Sequence, residues 1–130
     1  MSILGLGTDI VSVDRFAHML EAHSERLAVR LLASAEMADY QLAAATPRGA
    51  AAFLARRFAA KEAGAKALGC GIGAKASFRE LVVEHTPTGA PRMAFSGKAL
   101  ETANQLGVKQ VHLSISDEHT HATAVVILER

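Results

Sequence analysis

Thr46-Pro47-Arg48-Gly49-Ala50-Ala51-Ala52-Phe53-Leu54-Ala55-Arg56-Arg57-Phe58-Ala59-Ala60-Lys61-Glu62-Ala63-Gly64-Ala65-Lys66-Ala67-Leu68-Gly69 carries the clearest structural signal in the chain. Threonine before proline is a strong helix start, because the hydroxyl can accept from an unpaired amide and proline lacks one to lose. Alanine has the best helix propensity, and Gly69 is placed to stop the run. One long helix across the domain is predicted. Leu54, Phe58, Ala65 and Leu68 form its apolar stripe. At the helical period Glu62 falls roughly 40° from Phe58, on the margin of that stripe. Residues four apart stack, so Arg57 sits over Lys61 and Glu62 over Lys66.

Working outward toward the N-terminus, Ile3 to Thr8 reads as a strand, interrupted at Asp9 and extended by Ile10-Val11. Gly5 and Gly7 would weaken an ordinary strand and so suggest a bulge or close backbone packing. From Val13 the pattern is helical, with Phe16, Met19 and Leu20 on one face. A short helix over Arg26 to Leu32 follows, then another after Ser34 as its cap. Toward the C-terminus, Leu81 to Glu84 and Arg92 to Phe95 form a hairpin around Pro87-Thr88-Gly89. Ser96 can cap a helix from Gly97 to Leu106, stopped by Gly107. Two strands, Val111 to Ser116 and Ala122 to Leu128, end the chain. The expected class is α+β: a mainly antiparallel sheet packed against a long central helix and shorter ones, in one domain over residues 1–130.

The chain has 14 basic and 13 acidic residues, a net charge of +1, and a hydrophobic share of 50%. That balance suits a globular protein and gives no sign of a nucleic-acid binder, which needs a basic stripe or excess. Cys70 is the single cysteine, so no internal disulfide forms, which favours a reducing compartment or an indifferent one. The opening residues lack the basic and long apolar regions of a signal peptide, and no apolar run approaches the roughly 20 residues of a membrane span. A cytoplasmic protein, away from membranes, is expected.

Two carboxylates stand out as candidate chemistry. Asp9 lies between apolar residues on an expected strand, where an unpaired charge costs several kcal/mol unless a partner or metal meets it. The competing reading is a turn former or helix cap. Glu62, on the edge of a buried face and flanked by lysines, suits a metal ligand beside phosphate-binding groups; a solvated, salt-bridged helix surface is its plainer alternative. Together they suit Mg²⁺, which takes few carboxylates and draws its other ligands from water and phosphates. Oxygen ligands suit Mn²⁺ as well. The glycines at Gly69, Gly71 and Gly73 follow a helix rather than precede one, so they read as helix termination rather than a phosphate loop. His119 and His121, beside Asp117 and Glu118, invite a transition-metal reading, but a polar hairpin tip accounts for them. His112 begins an alternating strand and is a candidate for a core-facing, hydrogen-bonded histidine.

Three segments carry a family likeness: Gly5-Leu6-Gly7-Thr8-Asp9-Ile10-Val11; Arg57-Phe58-Ala59-Ala60-Lys61-Glu62-Ala63 with Lys66 and Gly69; and Val111-His112-Leu113-Ser114-Ile115-Ser116 running on to Ala122-Thr123-Ala124. With the Gly89-Ala90-Pro91 turn they resemble the holo-acyl-carrier-protein synthases, the small trimeric group of 4′-phosphopantetheinyl transferases, in order through nearly the whole chain. The resemblance implies transfer of 4′-phosphopantetheine from coenzyme A to a serine of apo-acyl carrier protein, serving fatty-acid synthesis. Carried over by motif position, Asp9 and Glu62 are the implied Mg²⁺ ligands. Lys66 meets the pyrophosphate and shares the catalytic role with Glu62. Arg57, Gly69, Pro91, Ser114 and Ser116 are the further implied coenzyme contacts, and Lys61 is a lesser candidate on another flank of the helix. The nucleophile belongs to the carrier, and its proton goes to Glu62 or to a water on the metal.

Carrier proteins are acidic, so the resemblance also implies a basic docking face, for which Arg15, Arg26 and Arg30 are candidates, and a homotrimer with shared sites. One departure stands out: many relatives have a histidine where this chain has Asp117, and His112 or His119 would have to replace its contact. The alternative function is a noncatalytic module of the same fold that binds coenzyme A or a carrier protein.

Overall fold

The computed structural model describes residues 2–23 and 25–130. The long helix forms as its sequence predicts. α4 (Pro47–Ala67) begins at Thr46, whose hydroxyl accepts from the Gly49 amide at 3.0 Å. It ends where the Gly69, Cys70 and Gly71 amides fold back onto the Lys66 and Ala65 carbonyls, with Gly69 in the left-handed region. The glycine-rich stretch is therefore helix termination. α4 is buried around most of its circumference rather than along one stripe, and Phe58 is only partly covered. Small alanines make this possible, because strand, helices and hairpin all approach its backbone closely.

β1 (Ile3–Ser12) lies against this helix. It runs unbroken through Asp9, and its irregularity falls between Ile3 and Gly5. The expected interruption at Asp9 is thus corrected: Asp9 pairs with Ala124, and its backbone stays in the ladder while its side chain turns to α4. A Cβ on Gly5 or Gly7 would lie inside contact distance of the Ala67 or Ala63 carbonyl oxygen. The two glycines therefore let strand and helix backbones nearly touch.

β1 pairs antiparallel with β5 (His121–Glu129), which pairs with β4 (Gln110–Asp117), in the order β1-β5-β4. β2 (Leu81–His85) and β3 (Pro91–Phe95) form a separate antiparallel hairpin beside β4. The class is α+β as expected, with two small sheets in place of one. Val111, Leu113 and Ile115 pack on the core, while His112, Ser114 and Ser116 face away. His112 is therefore not core-facing; its Nε2 lies 2.8 Å from Glu129 Oε1 on the open face.

The remaining helices are α1 (Val13–His23), α2 (Glu25–Leu31), α3 (Met37–Ala43) and α5 (Gly97–Leu106), with 3₁₀ turns at Ser34–Glu36 and Phe78–Glu80. Two expected caps are corrected. Ser34 lies inside its turn, and it is the Glu36 carboxylate that accepts from the Ala33 amide at 3.0 Å. Ser96 stands at the cap position of α5 without a side-chain bond; Glu80 reaches over to accept from the Lys98 amide at 2.7 Å. Among the described residues no helix is long and apolar enough to cross a membrane.

Candidate active site

Asp9, Glu62 and Lys66 come together where β1 crosses the C-terminal half of α4. The Lys66 ammonium donates to Asp9 Oδ1 and to the Thr8 carbonyl, each at 3.0 Å. Lys66 thus takes Asp9, rather than Glu62, as its ion-pair partner. The Asp9 side chain is 15% exposed, and its Oδ2 is buried with no hydrogen-bond partner. A carboxylate oxygen left so is costly unless a further positive group meets it.

Burial pushes the Glu62 carboxyl above the ordinary glutamate value, and the charge of Asp9 adds to this; Lys66 and Arg15 partly offset it. Two carboxylates that repel each other, one with an unsatisfied oxygen, fit a divalent cation with oxygen ligands. Arg15 stands close by, its guanidinium 5.3 Å from the Phe58 ring centre. Gly69 lies one turn beyond Lys66, exposed, with open space where a side chain would stand.

Arg57 and Pro91 belong to a different hollow. A cavity of about 290 Å³ between α4 and the β2–β3 hairpin is bordered by Arg56, Arg57, His85, Pro91 and Asp117. Arg56 pairs with Asp117 at 3.3 Å. His85, rather than His112 or His119, is the histidine that shares this cavity with Asp117. Ser114 and Ser116 are exposed on the open face of the sheet, paired with Val125 and Thr123 of β5, and neither borders that cavity. A single chain therefore gathers the implied metal ligands with Lys66, while Arg57 and Pro91 border a separate cavity and the two serines make no side-chain bond to either.

Glu36 is a residue that sequence reasoning missed. Its carboxylate, 1% exposed, receives Lys61 Nζ at 2.6 Å and Arg57 Nη1 at 2.9 Å. Lys61 is fully buried and also donates to the Phe78 carbonyl at 2.8 Å. Burial pushes its ammonium below the ordinary lysine value; Glu36 opposes this, and the charges of Arg57 and Arg79 reinforce it. Lys61 is thus an internal anchor and cannot touch a ligand. The only local sign of Glu36, an acid at a helix start, is shared with countless surface helices.

His119 and His121 are exposed, and His121 Nδ1 lies 2.9 Å from Thr120 Oγ1. Among the described residues no three His, Cys, Asp or Glu side chains are grouped as metal ligands. Arg26 and Arg30 border a shallow groove with His23 and Leu27, separate from Arg15.

Fold and site together define a small α+β protein with an acidic pair and nearby cations, suited to a phosphate-bearing ligand and a divalent metal. Residues 5–126 match the family model of the 4′-phosphopantetheinyl transferase superfamily. A holo-[acyl-carrier-protein] synthase of Halorhodospira halophila is 50% identical over 126 residues, covering 97% of each chain. The crystal structure of the Neisseria meningitidis holo-[acyl-carrier-protein] synthase superposes with a TM-score of 0.89 at 36% identity, covering 99% of this chain and 100% of that one. The Helicobacter pylori synthase, solved in complex with coenzyme A, gives 0.79 at 29% identity over 95% of this chain and 99% of its own. The chain belongs to the holo-[acyl-carrier-protein] synthases of the 4′-phosphopantetheinyl transferase superfamily.

Proposed function

We propose that this chain, acting as one transferase domain over residues 1–130, moves 4′-phosphopantetheine from coenzyme A to a serine of apo-acyl carrier protein. In this reaction the serine oxygen bonds to the phosphorus that carries pantetheine. The bridging P–O bond breaks, and its electron pair leaves on adenosine 3′,5′-bisphosphate. The observation that carries the reading is the unsatisfied, buried Oδ2 of Asp9 beside Glu62 and Lys66.

Asp9 and Glu62 would hold Mg²⁺, or Mn²⁺ in its place. When bound, the ion neutralises charge developing on the leaving phosphate. Lys66, half exposed and one turn from Glu62, can lift from Asp9 toward a pyrophosphate oxygen. Glu62, its carboxyl raised above the ordinary glutamate value by burial, is the group proposed to receive the serine proton. Arg57, Gly69, Pro91, Ser114 and Ser116 are proposed to hold the rest of the coenzyme.

A second copy of the chain would unite these scattered contacts. The open sheet face supports that step: Ile3, Leu6 and Ile10 are 68%, 61% and 64% exposed there. Apolar residues gathered on one face mark an interface more often than a solvated surface. The proposed assembly is a trimer. Arg15, with Arg26 and Arg30, would meet the acidic carrier, mainly speeding encounter and weakening with salt. Work in the cytoplasm on fatty-acid synthesis completes the proposal.

The experiment is release of adenosine 3′,5′-bisphosphate, followed by chromatography with apo-carrier, coenzyme A and Mg²⁺. Release that needs the carrier supports transfer. Coenzyme A binding without release would favour the noncatalytic module.

A further inference from the structure

Arg57 is held more tightly than a side chain that only binds solvent-borne phosphate needs. Its guanidinium gives Nη1 to Glu36 Oε2 at 2.9 Å and approaches the Val83 carbonyl at 3.4 Å. Its flat face lies 4.4 Å from the Phe53 ring centre. Nη2 reaches only to Asp39, at 4.0 Å. That Nη2 edge borders the cavity shared with Asp39, His85, Pro91 and Asp117. An arginine gripped on its other sides loses little freedom when that edge meets an anion.

Glu36 is itself fixed. The Ala33 amide and Lys61 both donate to its Oε1, which leaves Oε2 for Arg57. Arg57 and Lys61 both lie on α4, one turn apart, so one carboxylate fixes the guanidinium's direction and the rotation of the helix. A carboxylate shared by two buried cations is an expensive way to secure a turn; an apolar contact would do that at least as well.

We propose that Glu36 is a positioning residue for coenzyme binding: it aims the Nη2 edge of Arg57 into the cavity between α4 and the β2–β3 hairpin, where an anion would compete with the long contact to Asp39. This rests on the reading of Arg57 as a coenzyme contact. Lys61 shares Oε1 of Glu36 with the Ala33 amide, so the amide keeps Oε2 aimed at Arg57 without it.

The test is steady-state transfer at varied coenzyme A, with circular dichroism to establish the folded fraction of each variant. Glu36→Gln is expected to raise KM for coenzyme A about tenfold while kcat per folded enzyme stays within about twofold. Glu36→Asp keeps the charge but withdraws it by one methylene, and is expected to raise KM about threefold, should the amide variant not fold. Lys61→Met disturbs the same buried cluster and leaves the Glu36–Arg57 pair, so KM should stay within about twofold. Arg57→Gln separates the two ideas. If it leaves KM unchanged, the coenzyme role of Arg57 fails. If it raises KM while both Glu36 variants do not, the positioning role is overturned. An equal rise in KM for Lys61→Met would also overturn it, since general loosening would then explain the effect.

Discussion

Asp9 Oδ2 is the atom on which the proposed chemistry turns. It is buried and has no hydrogen-bond partner, while the Oδ1 beside it is held by Lys66. Asp9→Asn keeps the size and removes the charge; transfer per folded enzyme should fall about 100-fold or more, the scale of losing one transition-state electrostatic partner. Binding of Mn²⁺, followed by electron paramagnetic resonance, should weaken with it, and unchanged Mn²⁺ binding would remove Asp9 from the metal site. Lys66→Ala should act on coenzyme A affinity, raising KM about tenfold with a smaller effect on kcat. Gly7 makes a separate prediction. Because an added Cβ would press on the Ala63 carbonyl, Gly7→Ala should lower stability by about 2 kcal/mol in urea unfolding. Asp9 was legible as a candidate because a carboxylate among apolar neighbours is locally odd, and Glu62 because it falls on the margin of a buried helix face between lysines. Glu36 was not, since its partners lie 21 and 25 residues away and nothing near it in sequence announces them.

At the scale of elements, α4 was readable from end to end, because a threonine–proline start, an alanine body and a glycine stop are local rules. α5 was readable in span but not in its cap, which comes from Glu80 on a turn before the hairpin. Burial disfavours the Glu80 charge, but hydrogen bonds from the Ser77, Lys98 and Ala99 backbone outweigh it and hold the carboxyl below the ordinary value. A depressed carboxyl stabilises the fold above its unfolded value, near about 4.3, and loses that contribution as pH falls through the folded value. Glu80→Ala should therefore cost about 1 kcal/mol at neutral pH, the worth of a helix cap. The gap between variant and parent should close on the acid side, as measured by urea melts at several pH values. A gap independent of pH would mean that Glu80 acts through packing alone. The strand through Asp9 was misjudged for a related reason: a polar residue in an apolar run looks like a break until the helix it faces is known.

For the whole molecule, the α+β class followed from the order of helical and alternating segments, but division into a three-stranded sheet and a separate hairpin did not. Which strands pair depends on how all of them pack around α4, a long-range matter. The open sheet face likewise appears only once β1 and β5 lie side by side. If the parent is the proposed trimer, Leu6→Lys on that face should give a monomer by light scattering, with transfer reduced because the proposed coenzyme contacts are no longer united. A parent chain that is monomeric and active would set aside the shared-site reading.

The most direct test of the account is the intact mass of apo-acyl carrier protein after incubation with this protein, coenzyme A and Mg²⁺. The account predicts a gain of one phosphopantetheine group, abolished by EDTA, restored by added Mg²⁺, and lost with Glu62→Gln. A carrier whose mass is unchanged with the unaltered protein, or modified equally well in EDTA and by Glu62→Gln, would contradict it.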